Sequence, residues 1–135
     1  MNIKRIGSIL LILFICFIAI QFITGPHMYS IVKEAFTTNK GYSEKISDKM
    51  SKDVFQSINI YHTHYVDDKN SSIKLNLYPL GVIHNFKSGY VWMKYSISVV
   101  DSKGEITAGS WDVICKLKVE KINDKWYITN KSERN

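Results

Sequence analysis

The feature that most constrains this chain is an uninterrupted apolar segment close to its first residue. Residues 6–24, IGSILLILFICFIAIQFIT, contain no charged side chain. As an α-helix the segment would be roughly 28 Å long, close to the ~30 Å hydrocarbon core of a bilayer. The sequence therefore predicts a transmembrane anchor, and the lipid bilayer is the first partner that we expect.

The charges that flank the segment predict its orientation. Lys4 and Arg5 precede it, and the next basic residue is Lys33. Positively charged flanks are retained on the cytoplasmic side of a membrane. We therefore expect a single-pass protein of the cell membrane, with a cytoplasmic tail over 1–5, an anchor over 6–24, a linker over 25–28 and an extracytoplasmic domain over 29–135.

Two other interpretations of the apolar segment fit less well. A cleaved signal peptide ends on small residues, whereas residues 22–25 read Phe-Ile-Thr-Gly. A lipoprotein needs small residues before its cysteine, and Cys16 follows Phe14 and Ile15 in the middle of the segment. An uncleaved signal anchor is favoured over both.

The cysteine and charge patterns describe the outer domain. Cys16 lies in the predicted span and Cys115 outside it, so the two cannot pair and the domain must be stable without an internal disulfide. Removing Lys4 and Arg5 from 18 basic residues leaves 16 against 12 acidic ones, a net charge of about +4. These charges are dispersed, which fits a solvated surface beside an anionic envelope and predicts no nucleic-acid partner.

The apolar spacing after the anchor predicts helices first. Residues 29–36 have a helical pattern that Gly41 would end, and Ser43 is placed to cap a second helix. Apolar residues then recur every fourth position from Ile46 to Ile58, and a break within this stretch would divide it into two short helices.

From Ile58 the apolar period changes to two, which predicts strands. Five are expected, over 58–66, 73–86, 90–101, 105–122 and from Trp126 onward, with a bulge at Pro79 and Gly81. The class is α+β: two or three short helices packed on a curved antiparallel sheet of four to five strands. In the last two strands the alternation assigns Trp111, Trp126 and Ile128 to the core, with Cys115 as a buried thiol.

Several segments resemble the nuclear-transport-factor-two-like, or cystatin-like, superfamily, in particular its small membrane-anchored, exported bacterial members. They are VKEAF at 32–36, GYS at 41–43, SKDVF at 51–55 and VEKINDKWYI at 119–128. The resemblance covers residues 29–131 and implies helices that cover the concave side of the sheet. It also implies that Trp126 fills the core beneath those helices.

Three histidines are the candidate metal ligands. His62 and His64 lie two residues apart on a predicted strand, and His84 could complete a three-His zinc site with an open position. Histidines that line the interface between helices and sheet are the favoured alternative. We therefore expect no metal and no cofactor.

The acidic residues give no catalytic arrangement. Asp67 and Asp68 are adjacent, so their side chains diverge on an extended chain, and they are better explained as turn formers. The chain has no Gly-rich phosphate loop, no nucleophile elbow and no Cys-x-x-Cys pair. The protein is therefore not expected to be an enzyme.

Exposed aromatic residues are the candidate binding surface. Tyr90 and Trp92 lie on the side of their strand opposite Val91, and Tyr61 and Tyr65 occur in a Tyr-rich segment. Aromatic residues on a polar strand face serve either as interface anchors or as the lining of a pocket. Both interpretations predict a protein or small-ligand partner.

We therefore expect a membrane-anchored extracytoplasmic binding or scaffold domain. The layout of short tail, one span and cystatin-like outer domain is similar to that of the eighth VirB component of conjugative type IV secretion systems, which assembles in the inner membrane. An envelope immunity or ligand-binding factor is the other alternative.

Overall fold

The structure is a computed structural model that describes residues 3–64 and 70–134, with the side chains of 22–27 excepted. It is of the α+β class, as predicted. The helices are α1 (Ile3–Thr37), α2 (Glu44–Ser47), α3 (Lys52–Ile58) and α4 (Ile60–Thr63). The strands are β1 (Ser72–His84), β2 (Ser88–Val100), β3 (Ile106–Ile122) and β4 (Lys125–Arg134).

Helix α1 has two halves with different surroundings. Ile3–Gln21 is long and apolar enough to cross a membrane. Its side chains are exposed up to Ala19, whereas Gln21 at its end is buried. The second half buries Met28, Val32 and Phe36 in the core at helical spacing. Residues 25–28, predicted to be a linker, therefore lie within a helix that is continuous from Ile3 to Thr37.

Serine caps begin the next two helices. The Ser43 hydroxyl accepts from the Ile46 amide at 3.4 Å, and the Ser51 hydroxyl accepts from the Val54 amide at 3.3 Å. These bonds satisfy amide groups that a helix start leaves without an internal partner. Gly41 precedes them in the left-handed conformation, with φ 74°.

The strand predicted over 58–66 is wrong where the structure describes it. Asn59 ends α3 and also caps α4, because its side-chain oxygen accepts from the Tyr61 amide at 3.1 Å. This cap restarts the helix where the alternating pattern indicates an extended chain. Residues 65 and 66 of the predicted strand lie outside the described residues.

The strands form an antiparallel meander in the order β1-β2-β3-β4. The bounds of β1, β2 and β3 agree with the predicted ones within two residues, and the predicted bulge lies between Pro79 and Gly81. Asn123 and Asp124 have φ of 49° and 61°, a left-handed pair that forms the tight turn of a two-residue hairpin.

One face of the sheet carries the core. Buried side chains of β2 and β3 pack there against α1, α3 and α4; they include Val91, Met93, Tyr95, Ile97, Val113, Cys115, Leu117 and Val119. Strand β4 adds Ile128, which is 4% exposed and whose amide donates to the Lys49 carbonyl at 2.7 Å. Trp126 is partly buried at the margin of this core.

Trp111 is not a core residue, and the prediction that buried it is wrong. Tyr95 pairs with Val113 but Ile97 pairs with Ser110, so Trp111 and Asp112 together lie opposite one residue of β2. The extra residue is accommodated by a left-handed backbone conformation at Asp112, with φ 54°. Such a bulge reverses the alternation of the strand, and Trp111 is therefore 60% exposed on the outer face.

Candidate functional site

The outer face of the sheet, which no helix covers among the described residues, carries a cluster of aromatic and basic side chains. Strand alternation places Tyr90, Trp92 and Lys94 opposite the buried side of β2. The register sets Trp92 beside Lys116 and Tyr90 beside Lys118 of β3. We call these five residues the aromatic–lysine face.

Two stacked contacts organise the centre of this face. The ring centroids of Tyr90 and Trp92 lie 5.8 Å apart, with an angle of 45° between the ring planes. The Lys116 ammonium lies 4.2 Å from the Tyr90 ring centroid and 5.9 Å from that of Trp92. Cation–π attraction of about 0.5–1 kcal/mol at an exposed site favours this placement of the lysine over the rings.

The three lysines of the face differ in their acidic partners. Lys94 contacts Asp112 at 3.2 Å, and Lys118 contacts Glu120 at 2.9 Å. The hydrogen bond and then the charge of Glu120 raise the pKa of Lys118. Lys116 has no carboxylate within ion-pair distance in the part of the chain that the structure describes. It contacts the two ring faces instead.

A shallow cleft continues the face toward β4. It measures about 200 Å³ and contains no acidic side chain among its lining residues: Tyr90, Lys116, Lys118, Asn130, Lys131 and Ser132. The Lys131 ammonium is bound to Glu133 on the inner side of the sheet, so the donors that remain at the cleft are the ammonium groups of Lys116 and Lys118, an amide and a hydroxyl. These are the donors that bind carboxylate or other anionic groups.

A second cleft lies on the inner side of the sheet, between the helices and β4. It measures about 140 Å³, and its polar groups are joined to one another. The Tyr95 hydroxyl donates to Glu133 Oε1 at 2.6 Å, and the Lys131 ammonium contacts the same oxygen at 2.6 Å. Lys131 also donates to the Ser57 carbonyl. Burial, followed by the bond to Glu133, raises the pKa of Tyr95 well above its usual range.

These contacts hold the helices and β4 together at the inner cleft, so its polar groups have a structural role. A tyrosine with a raised pKa stays protonated and acts as a donor, and both carboxylate and ammonium are held by neighbours. Among the described residues no buried side-chain polar atom lacks a hydrogen-bond partner. Sequence reasoning missed Lys131 and Glu133, because simple alternation after Ile128 would place both on the outer face.

The structure does not bring the predicted tyrosines into one surface. Tyr61 lies on α4 and packs against the core from the helical side, whereas Tyr90 and Trp92 lie on the outer face of the sheet. Tyr65 lies outside the described residues. Of the predicted surface residues that the structure describes, Tyr90 and Trp92 therefore form one surface, together with lysines of β3.

The three histidines are likewise apart. The His62 ring packs on Phe55, with centroids 5.8 Å apart, and His64 contacts the Thr63 hydroxyl at 3.0 Å. His84 is buried between the rings of Phe86 and Trp126. Within residues 3–64 and 70–134, no three His, Cys, Asp or Glu side chains are grouped to hold a metal ion.

Two buried groups have shifted pKa values. Burial lowers the pKa of His84, and the nearby charge of Lys121 lowers it further. The Nδ1 atom of His84 accepts from the Phe86 amide at 3.2 Å, so the ring is a neutral structural acceptor. Burial raises the pKa of Cys115 to about 12, which makes it an unreactive thiol.

No protein-family model fits the chain, and no curated protein matches its sequence.

Proposed function

We propose that the protein is a single-pass, membrane-anchored binding domain whose aromatic–lysine face docks an acidic segment of a partner protein. The observation that carries the proposal is the Lys116 ammonium, which lies over the exposed Tyr90 ring and near the half-buried Trp92 ring and has no carboxylate partner among the described residues. An acidic side chain of the partner would supply the missing counter-charge.

The energetics of such a contact favour this surface. Tyr and Trp are the side chains that most often dominate interface energies, because they bury a large area with few rotatable bonds. Here they are already held against each other and beneath a lysine, so little conformational entropy remains to be lost on binding. The adjoining cleft adds Lys118, which also contacts Glu120, and the polar side chains of Asn130 and Ser132.

The first half of α1 supports the location. Its apolar side chains are exposed up to Ala19, and Lys4 and Arg5 at its start favour a cytoplasmic N-terminus. The binding domain would then be extracytoplasmic, in the cell membrane.

The sheet geometry supports a cystatin-like fold with a curved sheet. Register shifts occur in all three strand pairs, between Pro79 and Gly81 in β1, near Trp111 in β3, and between Lys118 and Val119 where β3 pairs with β4. Each bulge bends its strand and increases the local twist. The helices lie on one face of the sheet, as the superfamily resemblance implies.

Binding is favoured over catalysis by the state of the inner cleft. A general base must be free to accept a proton from a substrate, whereas Glu133 already accepts from Tyr95 and contacts Lys131.

A site-specific crosslink tests the proposal in cells. Benzoylphenylalanine in place of Trp92 should give a discrete protein adduct on irradiation, and Lys116→Glu in the same chain should abolish that adduct. The matched control places the photoprobe at Lys103, in the turn between β2 and β3. Equal adducts at both positions, an adduct insensitive to Lys116→Glu, or adducts to lipid alone would contradict docking of an acidic protein segment.

A further inference from the structure

The turn between β1 and β2 lies against the apolar half of α1. The Phe86 ring meets the Phe17 ring edge to face, with centroids 6.4 Å apart. Just beyond it, the Gln21 side chain exchanges two hydrogen bonds with the backbone of His84, at 2.8 and 3.1 Å. The end of the sheet is therefore fixed to the helix beside the candidate membrane span.

These contacts set the depth of the turn. Phe17 precedes Gln21, the last residue of the candidate span, by four residues, or roughly 6 Å along the helix axis. A side chain that packs on Phe17 consequently lies at or inside the boundary of the hydrocarbon core whenever the span crosses a bilayer. The Gln21 amide, at the same boundary, is already satisfied by strand β1.

Phe86 has an unusual conformation for an aromatic residue. Its φ is 70°, in the left-handed region that bulky side chains avoid. Its ring is nevertheless 50% exposed, and Ile83 beside it is 59% exposed. The ring contacts Phe17 and His84 while half of it stays exposed, and residues held in sparsely populated backbone conformations concentrate at functional sites.

The neighbouring hairpin turn completes the same end of the sheet. The Lys121 amide donates to the Lys87 carbonyl at 2.7 Å, which joins the β3–β4 hairpin to the β1–β2 turn. Exposed Ile122 lies there, together with Lys125. Long lysine side chains hold their charge among lipid headgroups while their alkyl stems contact apolar atoms.

We propose that this end of the sheet, which we call the lipid-facing tip (Ile83, Phe86, Lys87, Lys121, Ile122 and Lys125), rests in the headgroup region of an anionic bilayer. The inference rests on the proposed membrane anchor and adds a second contact with the same leaflet. The apolar side chains enter the interface, and the lysines contact lipid phosphates. Two contacts fix the tilt of the domain, so the aromatic–lysine face keeps one orientation relative to the membrane.

Fluorescent labels at the two ends of β2 test the inference in the full chain. The label, nitrobenzoxadiazole, is attached to Phe86→Cys at the tip or to Ser102→Cys at the opposite end, roughly 40 Å away along the strand. Both are made in a Cys16→Ser background; Cys115 is buried and stays unlabelled. The protein is reconstituted in vesicles of phosphatidylglycerol and phosphatidylcholine that contain headgroup-level nitroxide lipids.

The expected result is several-fold stronger quenching and a blue-shifted emission at position 86 compared with position 102. Lys87→Cys, which retains Phe86, should give the same result and guards against misfolding of the first variant. Lys121→Glu should lower the quenching at position 86, and so should vesicles of phosphatidylcholine alone.

The outcomes are separable. A chain that floats with the vesicles but is equally unquenched at positions 86 and 102 overturns the lipid-facing tip and leaves the anchor intact. Failure to float with vesicles overturns the anchor and the tip together. If the quenching at position 86 changes neither with Lys121→Glu nor with the lipid charge, the lysines do not contact lipid phosphates.

Discussion

Replacement of Asn59 should lower the stability of the domain by a large amount for so small a side chain. It is 1% exposed, and its amide nitrogen donates to the Ala35 and Thr38 carbonyls, both at 2.8 Å. Its side-chain oxygen accepts from the Tyr61 amide. One side chain thus holds the end of α1 against the junction of α3 and α4.

The magnitude of the loss follows from these three bonds. Each buried hydrogen bond contributes about 1 kcal/mol net, so Asn59→Ala should lower the free energy of unfolding by about 3 kcal/mol. That is a large share of the 5–15 kcal/mol that holds a domain of this size together. Asn59→Asp should be worse at neutral pH, because a carboxylate would face two carbonyl oxygens, and it should recover partly when acid protonates the new side chain.

The assay is urea unfolding of a fragment that begins at Pro26, followed by tryptophan fluorescence. All buried apolar side chains in the described part of the chain lie at Met28 or later, so this fragment contains that core and should fold. Asn76→Ala is the matched control, since Asn76 is an exposed asparagine on β1. A loss for Asn59→Ala no larger than for Asn76→Ala would refute the reasoning.

Two other predictions use the same assay, on a fragment that begins at Gln21 so that its two bonds to His84 are kept. Trp126→Ala should lower the free energy of unfolding by about 2 kcal/mol, because the ring is partly buried against His84 and the core margin. Trp111→Ala should change it by less than about 0.5 kcal/mol. Equal losses for the two variants would show that the bulge in β3 is misplaced. Because the pKa of His84 is lowered in the folded state, the unfolded chain binds more protons as pH falls below about 6.5, and stability should decline there and be fully present above it. His84→Gln should remove that part of the pH dependence, and an unchanged pH profile would count against the buried, neutral ring.

Local patterns in the sequence determined most elements of this protein; the helix α4 is an exception. The charge-free run before Gly25 needs no partner to be recognised as a candidate span, because its length and composition alone match a bilayer. Strict alternation, with Asn123-Asp124 as a turn, was enough to place the strands β1 to β3 within two residues. Such signals are local, since each depends on residues only a few positions apart.

The face to which some side chains point depended on contacts distant in sequence. Bulges at Trp111–Asp112 in β3 and at Thr129 in β4 each insert one residue into a strand pair. The first turns Trp111 outward, and the second turns Lys131 and Glu133 inward to Tyr95. A period of two cannot reveal an inserted residue, because the insertion is defined only against the register of the neighbouring strand.

The same limit applies to the two sites proposed. Tyr90 and Trp92 were visible as exposed aromatic residues, but Lys116 over their rings comes from a paired strand. The contact of Phe86 with Phe17 joins residues far apart in the chain, and no local pattern indicates it. Sequence determined the apolar segment and the strands β1 to β3, but not the helix α4 or the continuity of α1 through 25–28. Tertiary packing decided which side chains meet, because register and helix docking are set by the whole core at once.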